Sequence, residues 1–294
     1  MEKAKKIHDV LPVLAALCMG VMLGQLDWVE RLFGASNSSL ATANPLTPQM
    51  RIGANLYLQT SAEYQAACLQ TYNCASNRLN QLVEAISITG MRPAVIMDLD
   101  ETVFDNSSFQ TYLYLSGQDY TDAIWGNYEK NFAKDVTLIP GAKEFIDDAY
   151  AMGVEVVYVS NRLKINQSST IDALERLEIA GTKVADRLYL KEDTSDKSGR
   201  RDRIAARYNV LMLIGDNLRD FSEAFVNPQL PNPSAATDLL AAMNSRKQEV
   251  DRSTFHWGQN WFIIPNPVYG EWDRLIKVDP IPLMHPTSMP IGGQ

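Results

Sequence analysis

The chain has 294 residues, 46% of them apolar, with a formal net charge of −8 and an isoelectric point of ≈ 5.0. That length holds one large domain or two small ones, and the apolar share suits a packed core. The acid excess excludes a general binder of nucleic-acid polymers, which needs basic surface, but a local pocket of opposite sign can still take a small phosphorylated ligand.

Residues 1–45 stand apart from the fold. Lys3, Lys5 and Lys6 precede an apolar run over 10–26, broken only by Pro12, Gly20 and Gly24. A basic start followed by an apolar run is the pattern of an export signal or membrane anchor, so the chain is expected outside the cytoplasm, periplasmic or held at the membrane. Cys18 follows a lipoprotein-like Leu14-Ala15-Ala16-Leu17, but Leu17 stands where a small residue belongs; the Ala41-Thr42-Ala43 triplet suits a signal peptidase but lies far from the apolar run. Cleavage, lipidation and retention all stay open. Cys68 and Cys74 lie six apart. On an unbroken helix they would not share a face, so a disulfide needs a break near Asn73; otherwise they are free thiols.

From 49 to 88 the composition is helical, with Leu56, Leu69, Leu79, Leu82 and Ile86 as candidate core positions, and Gly90 and Pro93 end the region. Apolar, β-branched runs at 94–97, 154–159, 187–190, 210–214 and 261–264 then alternate with helical stretches at 142–152, 168–180 and 197–208. This alternation predicts an α/β fold, a Rossmann-like parallel sheet with helices on both faces. The expected organisation is a helical region at 46–90, a catalytic core of 91–105 and 139–275, a smaller, mainly helical cap inserted at 106–138, and a tail at 276–294. Residues 228–258 read as a surface excursion carrying one helix.

Ligands of such sheets bind beyond the carboxyl ends of the strands. There the sequence places Asp98-Leu99-Asp100-Glu101-Thr102, then Ser160-Asn161-Arg162, then a charged run leading to Lys197, then Gly215-Asp216-Asn217-Leu218-Arg219-Asp220, and finally 265–272, PNPVYGEW. Asp98 and Asp100, two apart, allow one acid to stay ionised while the other exchanges a proton. Asp216 and Asp220 add carboxylate oxygens. His8, His256 and His285 are distant from these clusters, so an all-oxygen site for a hard cation such as Mg²⁺ is expected. With a Ser160 hydroxyl and a Lys197 ammonium added, the set has what phosphoryl transfer needs.

The order DxDxT, Ser, Lys, GDNxxD is similar to that of the haloacid dehalogenase superfamily. The fuller strings VIMDLDETVFDNS and LIGDNLRDF resemble the class C acid phosphatases, including bacterial lipoprotein-type 5′-nucleotidases; so do QTSAEYQAACLQTY, PGAKEF, VYVSNR and FIIPNPVYGEW, over about 56–272. The resemblance implies Asp98 as nucleophile and Asp100 as general acid and base. It implies Mg²⁺ held by Asp98, the Asp100 backbone carbonyl and Asp216, with Asp220 behind them. Ser160 and Lys197 would hold phosphoryl oxygens and Arg200 would steady their loop; Lys191 competes with Lys197, but the family's DKS-then-Arg spacing favours Lys197. Tyr269 and Tyr120 would stack on a nucleobase. The function implied is an exported Mg²⁺-dependent phosphomonoesterase acting on nucleoside 5′-monophosphates or other small esters. The alternatives are a catalytically silent ligand-binding member of the fold, or another phosphotransfer reaction of the superfamily. Oligomeric state is not legible in the sequence.

Overall fold

A computed structural model of the chain describes residues 47–85, 90–226, 236–273 and 284. The expected leader with Cys18, the core position Ile86 and most of the expected tail lie outside the described residues. Among the described residues, no helix is long and apolar enough to cross a membrane.

Five strands form one parallel sheet: β1 (Pro93–Met97), β4 (Glu155–Leu163), β5 (Leu188–Lys191), β6 (Asn209–Gly215) and β7 (Trp261–Ile263), in the order β5-β4-β1-β6-β7. β1 is central, pairing Ile96 with Val157 on one side and with Leu213 on the other. A central parallel strand is covered on both faces and therefore reads as a continuous apolar run. Alternate residues go to opposite faces: Val95 and Met97 join the larger core with Tyr72 and Phe145, whereas Ala94 and Ile96 pack with Val157 and Ile204. Burying a side chain of this size contributes about 1.5–3 kcal/mol each.

The five strands fall where the apolar runs predict them, with one difference that matters. β4 continues through Ser160, Asn161 and Arg162 to Leu163, with a register irregularity against β5 between Val159 and Leu163. The polar triplet therefore sits on an irregular extension of the strand rather than in a loop after it.

The helical region preceding the sheet is two helices, Thr47–Thr60 and Ala62–Ala85, separated at Ser61. Its buried stripe is Tyr64, Cys68, Tyr72, Ala75 and Leu79, at the i, i+4 and i, i+3 spacings of one helix face. Leu79 is in that core and Leu82 packs against it, but Leu56 and Leu69, expected as core, are exposed. The stripe carries tyrosines and a cysteine in place of leucines, which hid it from an aliphatic pattern. The Tyr72 hydroxyl donates to the Thr102 carbonyl at 2.7 Å, tying this helix to the turn after β1. The second helix runs unbroken through Asn73. Cys68 and Cys74 lie on different sides of it and are both free, the first buried and the second exposed.

The insertion begins and ends in a two-stranded antiparallel ladder, β2 (Phe104–Asp105) with β3 (Thr137–Leu138). Between them lie the helices Ser107–Ser116 and Asp122–Asn131. Phe109, Leu113 and Tyr128 of these helices belong to the same buried cluster as Met97 and Val103. The 228–258 excursion carries the helix Ala236–Arg252, anchored by Leu239, Ala242 and Arg246, whose Nε donates to the Phe225 carbonyl at 2.9 Å.

Candidate active site

The Asp98 backbone N–H donates to the Ile214 carbonyl, extending the β1–β6 ladder one residue beyond the last apolar position. This holds the first acid at the carboxyl edge of the two central strands. Its side chain is buried and bonded directly to the Lys197 ammonium, which also donates to Asp220 Oδ1 at 2.6 Å. Lys197 is itself buried and starts the helix Ser198–Ala205 as its cap residue. Lys191, the rival in sequence, is the last residue of β5 and has no partner in this cluster among the described residues.

Asp220 is fixed from two sides. Its Oδ2 accepts the Asn217 backbone N–H at 2.9 Å, closing a capping box over the short turn Leu218–Phe221. Gly215 is what allows this approach: a Cβ there would stand 2.4 Å from the Asp220 side chain. Asp216 accepts from the Asn266 amide at 2.8 Å and from the Thr102 hydroxyl at 3.2 Å. Carboxylate oxygens of Asp98, Asp216 and Asp220 lie within 4.8 Å of one another. An oxygen-only donor set of this kind fits a hard divalent cation.

The electrostatics follow from that crowding. Burial pushes the Asp98 carboxyl well above the usual carboxylate range, with Lys197 opposing it. Asp216 is pushed up to about 7, by burial first and the Asp220 charge second. For Lys197, burial works to lower the ammonium, but Asp220 and Asp98 outweigh it and hold the group protonated. One buried ammonium against two buried carboxylates and the partly buried Asp216 leaves negative charge over, which a bound cation would offset.

Asp100 is a neighbour of this cluster and has different partners. Its carboxylate is paired with the buried Arg162 at 2.8 Å and accepts from Asn106 Nδ2 at 3.0 Å and Ser160 Oγ at 3.2 Å. The structure thus brings Ser160 to Asp100, while Lys197 goes to Asp98 and Asp220. Arg200 donates to the Ser160 carbonyl at 2.6 Å and to Asn161 Oδ1 at 2.7 Å, which steadies the β4 extension.

Beside Asp216 opens a cleft of ≈ 800 Å³, with Asn266, Tyr269, Met243 and Trp272 among its walls. Tyr269 faces this cleft, and its hydroxyl bonds the buried Glu101 carboxylate. Tyr120 is not at this cleft. It sits half-exposed in the insertion, its ring centroid 6.3 Å from that of Trp125.

Sequence reasoning passed over Glu101, Asn106 and Asn266. Glu101 is buried, has a left-handed backbone (φ 57°) and accepts the Asn106 N–H. A non-glycine residue in that region costs of order 1–3 kcal/mol and persists where its surroundings dictate it. Asn106 joins Asp100, Arg162 and Tyr128.

A parallel α/β sheet with a nucleophile-capable acid at the end of its central strand, a buried lysine and a carboxylate trio defines an enzyme of the haloacid dehalogenase type. Comparison with known proteins is more specific. The sequence profile of the HAD superfamily, subfamily IIIB (acid phosphatase), matches residues 34–272, and the chain belongs to that family. The class C acid phosphatase from Bacillus anthracis is similar in structure, at a TM-score of 0.64 and 30% identity over 78% of this chain and 88% of that one. The same phosphatase with tungstate bound matches at 0.66, with the same identity and coverage. The chain is a phosphomonoesterase of this class, acting on small phosphorylated substrates.

Proposed function

We propose that the protein is an exported, Mg²⁺-dependent phosphatase that hydrolyses nucleoside 5′-monophosphates through an aspartyl-phosphate on Asp98. The observation that carries this reading is the buried Asp98–Lys197–Asp220 bridge beside Asp216. It supports a carboxylate nucleophile held in place at a cation-binding centre.

Asp98, Asp216 and the Asp100 backbone carbonyl that family resemblance implies would hold Mg²⁺, with Asp220, bonded to Lys197 and to the Asn217 N–H, behind them. Bound there, the ion would supply positive charge to the site and would favour the ionised form of the Asp98 carboxylate. Lys197 adds a fixed ammonium at the same place, and such preorganised charge is commonly the largest single contribution to phosphoryl transfer. An Asp98 oxygen attacks phosphorus, and the phosphorus–ester oxygen bond breaks. Asp100 gives its proton to the departing oxygen. In the second step water attacks the aspartyl-phosphate, its proton returns to Asp100, and phosphate leaves with Asp98 restored. Ser160, hydrogen-bonded to Asp100, stands between the acid and the phosphoryl oxygens it is proposed to meet.

A nucleotide is favoured by the Tyr269 ring on the wall of a cleft large enough for a nucleoside. Stacking accepts any base, so it favours nucleotides without selecting one. Export is favoured by the basic and apolar pattern of the first 26 residues.

The test is phosphate release from 5′-AMP and from p-nitrophenyl phosphate, with Mg²⁺ and with EDTA, for wild type and Asp98→Asn. Release that needs the metal and disappears in the variant is the expected result. Metal-independent release, or an active Asp98→Asn, would overturn the mechanism; equal use of both esters by wild type and by Tyr269→Ala would overturn the nucleotide assignment.

A further inference from the structure

Among the described residues, Arg162 is the largest fully buried side chain. A guanidinium at that depth is costly unless charge and hydrogen bonds compensate it. Its partner is Asp100, and the contacts fall unequally on the two carboxylate oxygens. Asp100 Oδ1 takes Arg162 Nε at 2.8 Å, Arg162 Nη2 at 2.8 Å and Asn106 Nδ2 at 3.0 Å. Among the described residues, Asp100 Oδ2 takes only the Ser160 hydroxyl, at 3.2 Å, and that hydroxyl itself accepts the Arg162 backbone N–H at 3.0 Å.

Two N–H donors, Arg162 Nε and Asn106 Nδ2, fill the two lone pairs of Oδ1, with Nη2 in ion-pair contact beside them, and leave no space for a proton. A serine hydroxyl, by contrast, can turn to donate or to accept. We infer that Arg162 is a positioning residue for the phosphatase reaction: with Asn106 it clamps Asp100 Oδ1, so that Oδ2 is the oxygen that carries the proton to the leaving group. The inference rests on the reading of Asp100 as general acid given above.

The clamp is held from the insertion. Asn106 Oδ1 accepts from both Arg162 Nη2 at 3.0 Å and the Tyr128 hydroxyl at 3.2 Å. The guanidinium carbon lies 4.9 Å from the Phe104 ring centroid and 5.5 Å from that of Trp125, within cation–π range. Phe104 begins β2, and Trp125 and Tyr128 lie on the Asp122–Asn131 helix. The insertion therefore supplies the surroundings that set the direction of the acid. When the Oδ2–H bond breaks and its proton joins the ester oxygen, the resulting Asp100 carboxylate keeps its charge against Arg162.

A positioned acid matters most for esters whose leaving group is a strong base, and little for p-nitrophenolate, which departs unprotonated. General acid catalysis is typically worth about 10²–10⁴-fold. We would measure kcat/KM, which reports steps through phosphoryl transfer to the enzyme, for an alkyl phosphate and for p-nitrophenyl phosphate in wild type, Arg162→Lys and Asn106→Ala. Arg162→Lys retains the charge and loses the fork, and Asn106→Ala removes one donor without removing the charge. The expected result is a loss of about 10²-fold on the alkyl ester with less than about 5-fold on the aryl ester for Arg162→Lys, and a smaller loss of the same selectivity for Asn106→Ala. Equal losses on both esters would reduce Arg162 to a structural role and overturn the inference, as would unchanged activity on both. A wild type inactive on both esters would instead refute the underlying phosphatase mechanism.

Discussion

Replacing Lys197 with methionine removes the ammonium that bridges the carboxylates Asp98 and Asp220 at nearly constant volume. Lys197 bridges Asp98 and Asp220, and all three side chains are at least nine-tenths buried. Removing one partner of a buried, hydrogen-bonded charge pair costs about 3–5 kcal/mol. For a domain of this size, at about 2–4 °C per kcal/mol, that is a fall in Tm of about 6–20 °C in EDTA at pH near 7.5. The pH dependence follows from the carboxylates. A group whose folded pKa is raised, as for Asp98, destabilises the fold only where the unfolded chain has already ionised, above about pH 4. The deficit of Lys197→Met should therefore be small at about pH 4 and grow as pH rises towards the folded pKa, as the variant's acids stay protonated at increasing cost. Thermal melts of both proteins at about pH 4 and 7.5 measure it. Equal Tm values at the higher pH, or the same deficit at both, would refute the reasoning that Lys197 offsets buried negative charge.

Three further outcomes are expected. Metal-free wild type should lose stability as pH rises from about 4 towards 7, because Asp216 is pushed up to about 7 by burial and by Asp220; saturating Mg²⁺ at about 100 times its Kd should restore about 2.7 kcal/mol, and a melt indifferent to Mg²⁺ would contradict this. Tyr269→Phe keeps the ring and loses the hydrogen bond to Glu101, so it should cost about 1.5–3 kcal/mol in urea melts yet keep the preference for 5′-AMP, whereas Tyr269→Ala should lose about 1–3 kcal/mol of that preference. Alkylation with peptide mapping should modify exposed Cys74 and spare Cys68, whose thiol burial pushes up to about 11; a Cys68–Cys74 disulfide would contradict the unbroken helix.

The sheet was legible because parallel strands buried on both faces must be apolar throughout, and the motif acids were legible because they interrupt those runs at their carboxyl ends. Asp98, Asp216, Asp220 and Lys197 come together as their positions after successive strands imply. What stayed hidden depends on contacts distant in sequence. Arg162 reads as one more polar residue after a strand, and only folding brings it to Asp100, 62 residues away. Asn266 meets Asp216 across 50 residues and Tyr269 meets Glu101 across 168. No local pattern encodes such pairs. The core face of the two N-terminal helices was misread at Leu56 and Leu69 for a different reason: Tyr64, Cys68 and Tyr72 take the buried positions in place of leucines, and the Tyr72 hydroxyl finds a partner inside at the Thr102 carbonyl.

The central claim is that Asp98 carries the phosphoryl group. The most direct measurement is to quench the protein with acid during turnover of a phosphate ester, reduce it with borohydride, and map the peptides by mass spectrometry. An acyl phosphate at Asp98 would be reduced to homoserine at that position alone, and the signal would vanish in Asp98→Asn. Turnover with position 98 unmodified, or homoserine appearing at Asp100 or Asp216 instead, would contradict the account.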